Sequence, residues 1–245
     1  MADRTALVVS AHSADFVWRA GGAIALHASE GVNVTVICLS YGERGESAKL
    51  WRQDGMTLDK VKAERQKEAE AAAKALGVAD IQFWDLGDYP IELSRDSLFQ
   101  LADLCRKIHP AFMLTHSRED PYNRDHPLVS QFAQEARIVA QAHGHNPGEP
   151  VLGAPPVMLF EPHQPEQCRW MPNTLLDITP VWDRKRAAIE CMAGQEHLWE
   201  YYTRVALQRG VQAARNSDKT IKYGEAYEAV FPHVVETLIP TEGRS

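Results

Sequence analysis

The chain has 245 residues, 33 of them acidic and 26 basic, with a formal net charge of −7 and a hydrophobic fraction of 44%. That length and balance suit one substantial globular core. They exclude a nucleic-acid partner, for which no basic stripe exists, and a membrane span, for which no apolar run approaches roughly 20 residues. The opening MADRTALVV lacks the apolar region of a secretory signal. Cys38, Cys105, Cys168 and Cys191 are scattered without a CxxC pair, so the expected compartment is a reducing cytoplasm.

In chain order, TALVVSAH (5–12) is short, apolar and rich in valine, which predicts a buried strand. AGGAIALHASEG (20–31) reads as a helix stopped at Gly31, and VNVTVICLS (32–40) as a second strand. The polar loop YGERGESAKLWRQDG follows. Residues 57–77 form the clearest helix, rich in Ala, Glu and Lys, capped by Thr57 and ended by Gly77. DIQFWDL is a third strand, SRDSLFQLADLCRKIHP a helix closed by proline, and AFMLT a fourth strand leading into the loop HSREDPYNRDH. A helix is expected over 127–143, strands in PPVMLFEP and TLLDIT, and a helix in PVWDRKRAAIECMAG with Pro180 near its first turn. Strands alternating with helices predict an α/β fold, a doubly wound, mostly parallel Rossmann-like sheet. We read residues 1–245 as a single domain, elaborated after about residue 145.

Ligands of such sheets bind beyond the carboxyl ends of the strands. Those ends carry His12 and Asp15; Glu43, Arg44 and Glu46; His116, Asp120, Asp125 and His126; and Glu161 and His163. His12, Asp15 and His126 are the candidate metal ligands. Two His and one carboxylate leave an open position and suit zinc, iron or manganese. Asp125 is expected to orient a ligand through a hydrogen bond. His116 is expected either to support the site or to substitute for a ligand. Glu46 and His163 are the candidate acid–base pair, and Arg44, Lys49, Arg118 and Arg124 the candidate carboxylate-binding cations of the rim. The Trp-rich stretch HLWEYY is expected to serve helix packing or a subunit interface.

VVSAHSADFVWRAGGAIALH resembles the opening of the LmbE-like (PIG-L) N-deacetylases, whose usual form is AHPDDE followed by a GG pair. The resemblance continues in ERQKEAEAAAKALG, LTHSREDPYNRDH, LLDITPVWDRKRAAIECMAGQ and ALQRG, in the same order and over nearly the whole chain. It implies an LmbE-like fold, Zn2+ as the cofactor, and His12, Asp15 and His126 as its ligands. It also locates a departure. The family's general base falls at Ala14, its Pro at Ser13 and its Glu at Phe16, and its HPDH reads NRDH here. Alanine cannot take or give a proton. The altered AHSADF, with YGERGESAKLWRQ and FEPHQPEQC, resembles instead a hydratase branch of the superfamily that adds water to an unsaturated oxo-tricarboxylate in gallate breakdown. The expected function is therefore a metal-dependent hydratase of a small polycarboxylate, working as a homo-oligomer. The alternatives are a zinc N-deacetylase of an amino-sugar conjugate and a metal-binding protein without catalysis. A GxGxxG fingerprint is absent, so the strand–helix pattern does not imply NAD.

Overall fold

The computed structural model describes residues 4–232 and residue 234. The ends of the expected 1–245 domain therefore lie outside the described residues. The elements, in order, are β1 (Thr5–Ser10), α1 (Asp15–Ser29), β2 (Asn33–Cys38), α2 (Ala48–Trp51), α3 (Leu58–Leu76) and β3 (Asp80–Phe83). Then come α4 (Arg95–Ile108), β4 (Met113–Thr115), α5 (Asp125–Gln141), β5 (Val157–Phe160) and β6 (Thr174–Asp177). α6 (Trp182–Cys191), α7 (Trp199–Ala214) and β7 (Gly224–Ala229) complete the described chain.

The seven strands form one sheet in the order β3-β2-β1-β4-β5-β7-β6. β1 through β5 pair in parallel, while β7 runs antiparallel to both β5 and β6. Alternation along β1 shows why both faces are covered. Ala6 and Val8 join the core beneath α1, α3, α6 and α7, whereas Leu7 and Val9 join the core beneath α4 and α5. Side chains of a strand point to opposite faces in turn, so an unbroken apolar run fits a strand buried on both sides.

Local signals end the helices as the sequence predicts in the best cases. The Thr57 side chain accepts a hydrogen bond from the Lys60 amide, and Gly77 is left-handed at φ 81°. Two helices begin earlier than their apolar pattern indicates. α1 starts at Asp15 and α5 at Asp125, so Asp15, Asp125 and His126 sit in first helical turns rather than in loops. Within the expected polar loop the short α2 forms. β7 was not predicted: GEAYEA carries two glutamates in six residues, and its place in the sheet rests on a distant partner.

That partner is Lys185 of α6. Its Nζ lies 2.6 Å from Glu225 Oε1 and donates to the Trp18 carbonyl at 3.1 Å. Glu225 also accepts from the Gly22 and Ala23 amides, at 2.7 and 2.8 Å, and from the Tyr227 hydroxyl at 2.5 Å. Gly22 belongs to the GG pair. A Cβ there would stand 2.5 Å from Ile178 Cγ2 and 2.8 Å from Glu225 Oε1, so a side chain would push β7 off α1. The pair is thus a docking surface that fixes α1, and with it Asp15, against the sheet.

Candidate active site

β1 has β2 on one side and β4 on the other. The chain winds outward from β1 in both directions, and the carboxyl ends of β1 and β4 flank the resulting crevice. There the Ala11 amide, just past β1, donates to His116 Nε2, just past β4, at 2.9 Å. His12 follows, fully buried. Its amide donates to Asp15 Oδ2 at 2.9 Å, and the Asp15 amide donates back to the His12 carbonyl at 3.3 Å. This closed turn aims both side chains at one point. Asp15 opens α1, where the partial positive charge of the helix end favours a carboxylate.

His126, the second residue of α5, presents Nε2 to Asp15 Oδ1 at 3.5 Å. Asp15 Oδ2 and Glu46 Oε1 lie 3.2 and 3.3 Å from His12 Nδ1. His12, Asp15, Glu46 and His126 offer ligand atoms all within 4.8 Å of one another. Glu46 comes from the loop after β2. The Ser47 hydroxyl donates to the Gly42 carbonyl at 2.7 Å, and the Arg44 and Gly45 amides donate to Asp88 at 2.5 and 3.1 Å. A side chain at Gly45 would overlap the Tyr89 ring.

Each histidine has a carboxylate behind it. His126 Nδ1 lies 2.8 Å from Asp120 Oδ2, and Asp120 Oδ1 accepts from the Tyr122 and Asn123 amides. His12 Nε2 lies 3.2 Å from Asp88 and 3.4 Å from Asp125, whose carboxylate accepts from the Tyr89 and Ile91 amides. These partners fix the ring protons on the far nitrogens. Among the described residues the near nitrogens, His12 Nδ1 and His126 Nε2, are buried and have no hydrogen-bond partner, and neither has Glu46 Oε2. Buried polar atoms are rarely left so. Around a tetrahedral ion with ligands at about 2.1 Å, neighbouring ligand atoms lie about 3.4 Å apart. The donors and their spacing therefore fit a divalent metal held by two imidazoles and carboxylate, with the supporting carboxylates such sites use.

Electrostatics point the same way. Burial disfavours charge on His12, but Glu46, Asp125, Asp15 and Asp88 outweigh it and hold the ring well above the ordinary histidine range. Burial would raise Asp15, yet His126, His116 and His12 keep it well below the usual carboxylate range. Asp88, Asp120 and Asp125 are lowered against burial, chiefly by hydrogen bonds from His12 or His126. The centre is thus a concentration of negative charge. His116 is held far below its ordinary value by burial and by His126. Its Nε2 accepts from Ala11, and its ring stacks on His126 with centroids 4.3 Å apart, so it packs directly against the His126 ring.

A cleft of about 820 Å³ opens over the cluster. Glu46, His163 and Lys49 line it, together with Arg19, Arg52, Tyr89 and Tyr202. His163 is partly buried with Nδ1 3.4 Å from the Tyr202 hydroxyl, and burial, then Arg19, pulls its pKa below the ordinary range. Lys49 is tied to Glu196 at 2.7 Å and to the Ala193 carbonyl. Three expected cations are not in this cleft. Arg44 is exposed and contributes its backbone amide to Asp88 instead. Arg118 and Arg124 line a separate depression beside α5, and Arg118 pairs with Glu228 at 2.8 Å. Membership of a rim loop did not fix where those side chains go. The residues that sequence reasoning missed are Arg19, Arg52, Asp88 and the link from Asp120 to His126. A signal existed for Arg19, which lies four residues after Asp15 on α1 and so on the same helical face.

The motif's departures have a packing explanation. Ala14 and Phe16 are fully buried in the core beneath α1, and the Ser13 hydroxyl donates to the Tyr41 carbonyl at 2.7 Å. The carboxylate nearest His12 that is neither part of the turn nor behind the ring is Glu46.

Residues 7–137 match the family model described as PIG-L: GlcNAc-PI de-N-acetylase. A 4-oxalmesaconate hydratase from Pseudomonas putida KT2440 is 65% identical over 239 residues, covering 96% of this chain and 92% of that protein. A 1D-myo-inositol 2-acetamido-2-deoxy-alpha-D-glucopyranoside deacetylase from Thermobispora bispora is 30% identical over 171 residues, 61% of this chain and 57% of its own length. The crystal structure of GalB, the 4-carboxy-2-hydroxymuconate hydratase from Pseudomonas putida KT2440, matches with a TM-score of 0.94 and 64% identity over 96% of this chain and all of that one. N,N'-diacetylchitobiose deacetylase from Pyrococcus horikoshii, 23% identical with a TM-score of 0.77 over 94% of this chain and 84% of its own, shares the fold.

Proposed function

The chain belongs to the PIG-L family, and on that premise we propose that it is a metal-dependent hydratase that adds water to the C=C of 4-oxalomesaconate, giving 4-carboxy-4-hydroxy-2-oxoadipate. The hydratases from Pseudomonas putida are named for 4-oxalmesaconate and for 4-carboxy-2-hydroxymuconate. These are the keto and enol tautomers of one tricarboxylic skeleton. The observation that carries the reading within this chain is the pairing of an intact metal-type donor set with Ala14, fully buried, where the deacetylases have an acid. Cleaving an amide needs a base for water and a proton for the departing amine. Hydration has no leaving group, so it needs only one proton taken from water and one given to carbon.

When bound by His12, Asp15 and His126, a divalent ion, for which zinc is our choice, supplies a Lewis acid that polarises an oxygen of the substrate. The protein's own groups do the rest. Asp120 and the Asp88–Asp125 pair hold the two imidazoles in one tautomer. Glu46 and His163 face the same cleft, and between them they move the two protons. Glu46 has a buried oxygen with no hydrogen-bond partner, and His163, kept below its ordinary pKa by burial and by Arg19, is available as an uncharged imidazole near neutral pH. Arg19, Lys49 and Arg52 give the cleft the positive charge that a small polycarboxylate requires.

No helix among the described residues is long and apolar enough to cross a membrane, and all four cysteines are free. We assign the activity to the cytoplasm on the second of these, and to a closed homo-oligomer as the commonest assembly of such enzymes. The test of the acid–base pair is kinetic. Glu46→Gln and His163→Asn should each lower kcat on 4-oxalomesaconate by about 10²–10⁴-fold while bound metal stays at the wild-type level. Unchanged kcat in both variants would remove the pair from the mechanism.

A further inference from the structure

Two arginines with little or no exposure distinguish a structural role from one that awaits a ligand. Arg65 is fully buried, and each of its three nitrogens has a protein acceptor: the Tyr41 carbonyl, Glu68 and Gln195. Arg19 is 7% exposed and makes one hydrogen bond, from Nη1 to the Glu161 carbonyl at 3.2 Å. Among the described residues, its Nε, which is buried and lies 3.3 Å from Asp15 Oδ1, has no hydrogen-bond partner, and Nη2 has none either. A guanidinium has five N–H groups and cannot shed its charge in a protein. Leaving it so poorly satisfied inside a protein is costly.

Its position is fixed rather than adaptable. α1 is pinned by Glu225 at Gly22 and Ala23. The Glu161 carboxylate is itself gripped by Arg209 through Nε at 2.9 Å and through Nη2. The guanidinium lies in the cleft wall with Asp15, His126, His163 and Tyr202. The other two cations of the cleft differ from it: Lys49 is 51% exposed and already paired with Glu196, and Arg52 is exposed. Among the described residues the carboxylate paired with Arg19 is Asp15, and Asp120 and Glu46 add to the negative field around it.

Resting on the hydratase reading for the identity of the substrate, we infer that Arg19 is the anchor for one substrate carboxylate, which it takes on the guanidinium edge left free by Glu161 and Asp15. The carboxylate completes the missing hydrogen bonds, and the rigid fork sets the direction in which the rest of the substrate extends over the metal centre. Arg19 therefore selects for a carboxylate at that point of the molecule, where an amino-sugar amide has none.

The test is calorimetric binding of tricarballylate, a saturated tricarboxylate with no C=C to hydrate, to the metal-loaded full chain. Melting temperature and metal content are recorded alongside. Arg19→Met should weaken the Kd by about 10- to 100-fold, the range of one or two charge-assisted hydrogen bonds, with metal content unchanged. Arg19→Lys, which keeps the charge but not the fork, should fall between that variant and the wild type, and should serve where Arg19→Met does not fold. On 4-oxalomesaconate, the KM of Arg19→Met should rise more than its kcat falls. Wild-type affinity in both variants, no tricarballylate binding by the wild type, or loss of metal as the whole effect would overturn the assignment. Arg19-dependent binding by a wild-type protein that leaves 4-oxalomesaconate untouched would uphold the anchor and defeat the hydratase reading instead.

Discussion

Two clusters of buried charge lie along α1, and they differ in how fully the protein itself satisfies them. At Gly22, the Glu225 carboxylate receives two backbone amides, Lys185 and the Tyr227 hydroxyl. At Asp15, two carboxylates and two imidazoles converge, and His12 Nδ1, His126 Nε2 and Glu46 Oε2 have no hydrogen-bond partner among the described residues. Both clusters are expensive to bury. The first is closed by the protein's own atoms and holds β7 and α6 to the helix. The second brings donor atoms of four side chains within 4.8 Å of one another, a grouping that could hold a metal ion. A buried charge is therefore not in itself a sign of function, whereas several unmatched donor atoms converging on one point are one.

The largest expected effect would break the closed cluster. Lys185→Met strips Glu225 of its counter-ion in the core, at a cost of about 3–5 kcal/mol, lowering the Tm by roughly 10 °C. Thermal denaturation checks this, and a shift of only a degree or two would contradict the structural role. In the second cluster the supporting acids should matter through the metal and hardly through the fold. Asp120→Asn removes the acceptor that fixes the His126 ring, so metal affinity should weaken by about 10–100-fold with little change in the Tm of the metal-free protein. Competition with a chromophoric chelator measures it, and wild-type affinity would show that Asp120 does not set the ligand. The smallest effects belong to the cations outside the cleft. Arg44→Ala, Arg118→Ala and Arg124→Ala should leave KM within about twofold of wild type and stability within about 0.5 kcal/mol. A large rise in KM for any one of them would relocate the substrate.

The same contrast explains what the sequence made legible. The apolar strand β1, the helix α3 between Thr57 and Gly77, and the parallel order follow from local pattern and capping, which short stretches of chain carry by themselves. The positions of His12, Asp15 and His126 were legible because a motif ties them to a strand end and to a loop of known kind. β7 was not, because its glutamate is tolerable in the sheet only through Lys185, forty residues away. The starts of α1 and α5 were hidden because neither helix has a side-chain cap at its N-terminus. Asp88 and Arg19 illustrate the remaining difficulty. Asp88 comes from the loop after β3, which carries no His or metal-like spacing, and Arg19 stands just ahead of the apolar pattern read as a helix from residue 20, in the segment where α1 starts earlier than that pattern indicates. Conversely, Arg118 and Arg124 stood in the right loop, but Arg118 finds Glu228 and Arg124 lies in the depression beside α5. Loop membership says which strand end a residue leaves, and packing decides where its side chain points.

The most direct measurement follows the ultraviolet absorbance of 4-oxalomesaconate mixed with the purified protein, before chelation, after chelation and after zinc is returned. The account predicts loss of the conjugated chromophore, arrest of that loss once the metal is removed, and recovery with zinc. An unchanged chromophore with metal demonstrably bound would contradict it, and so would consumption at the same rate by the metal-free protein.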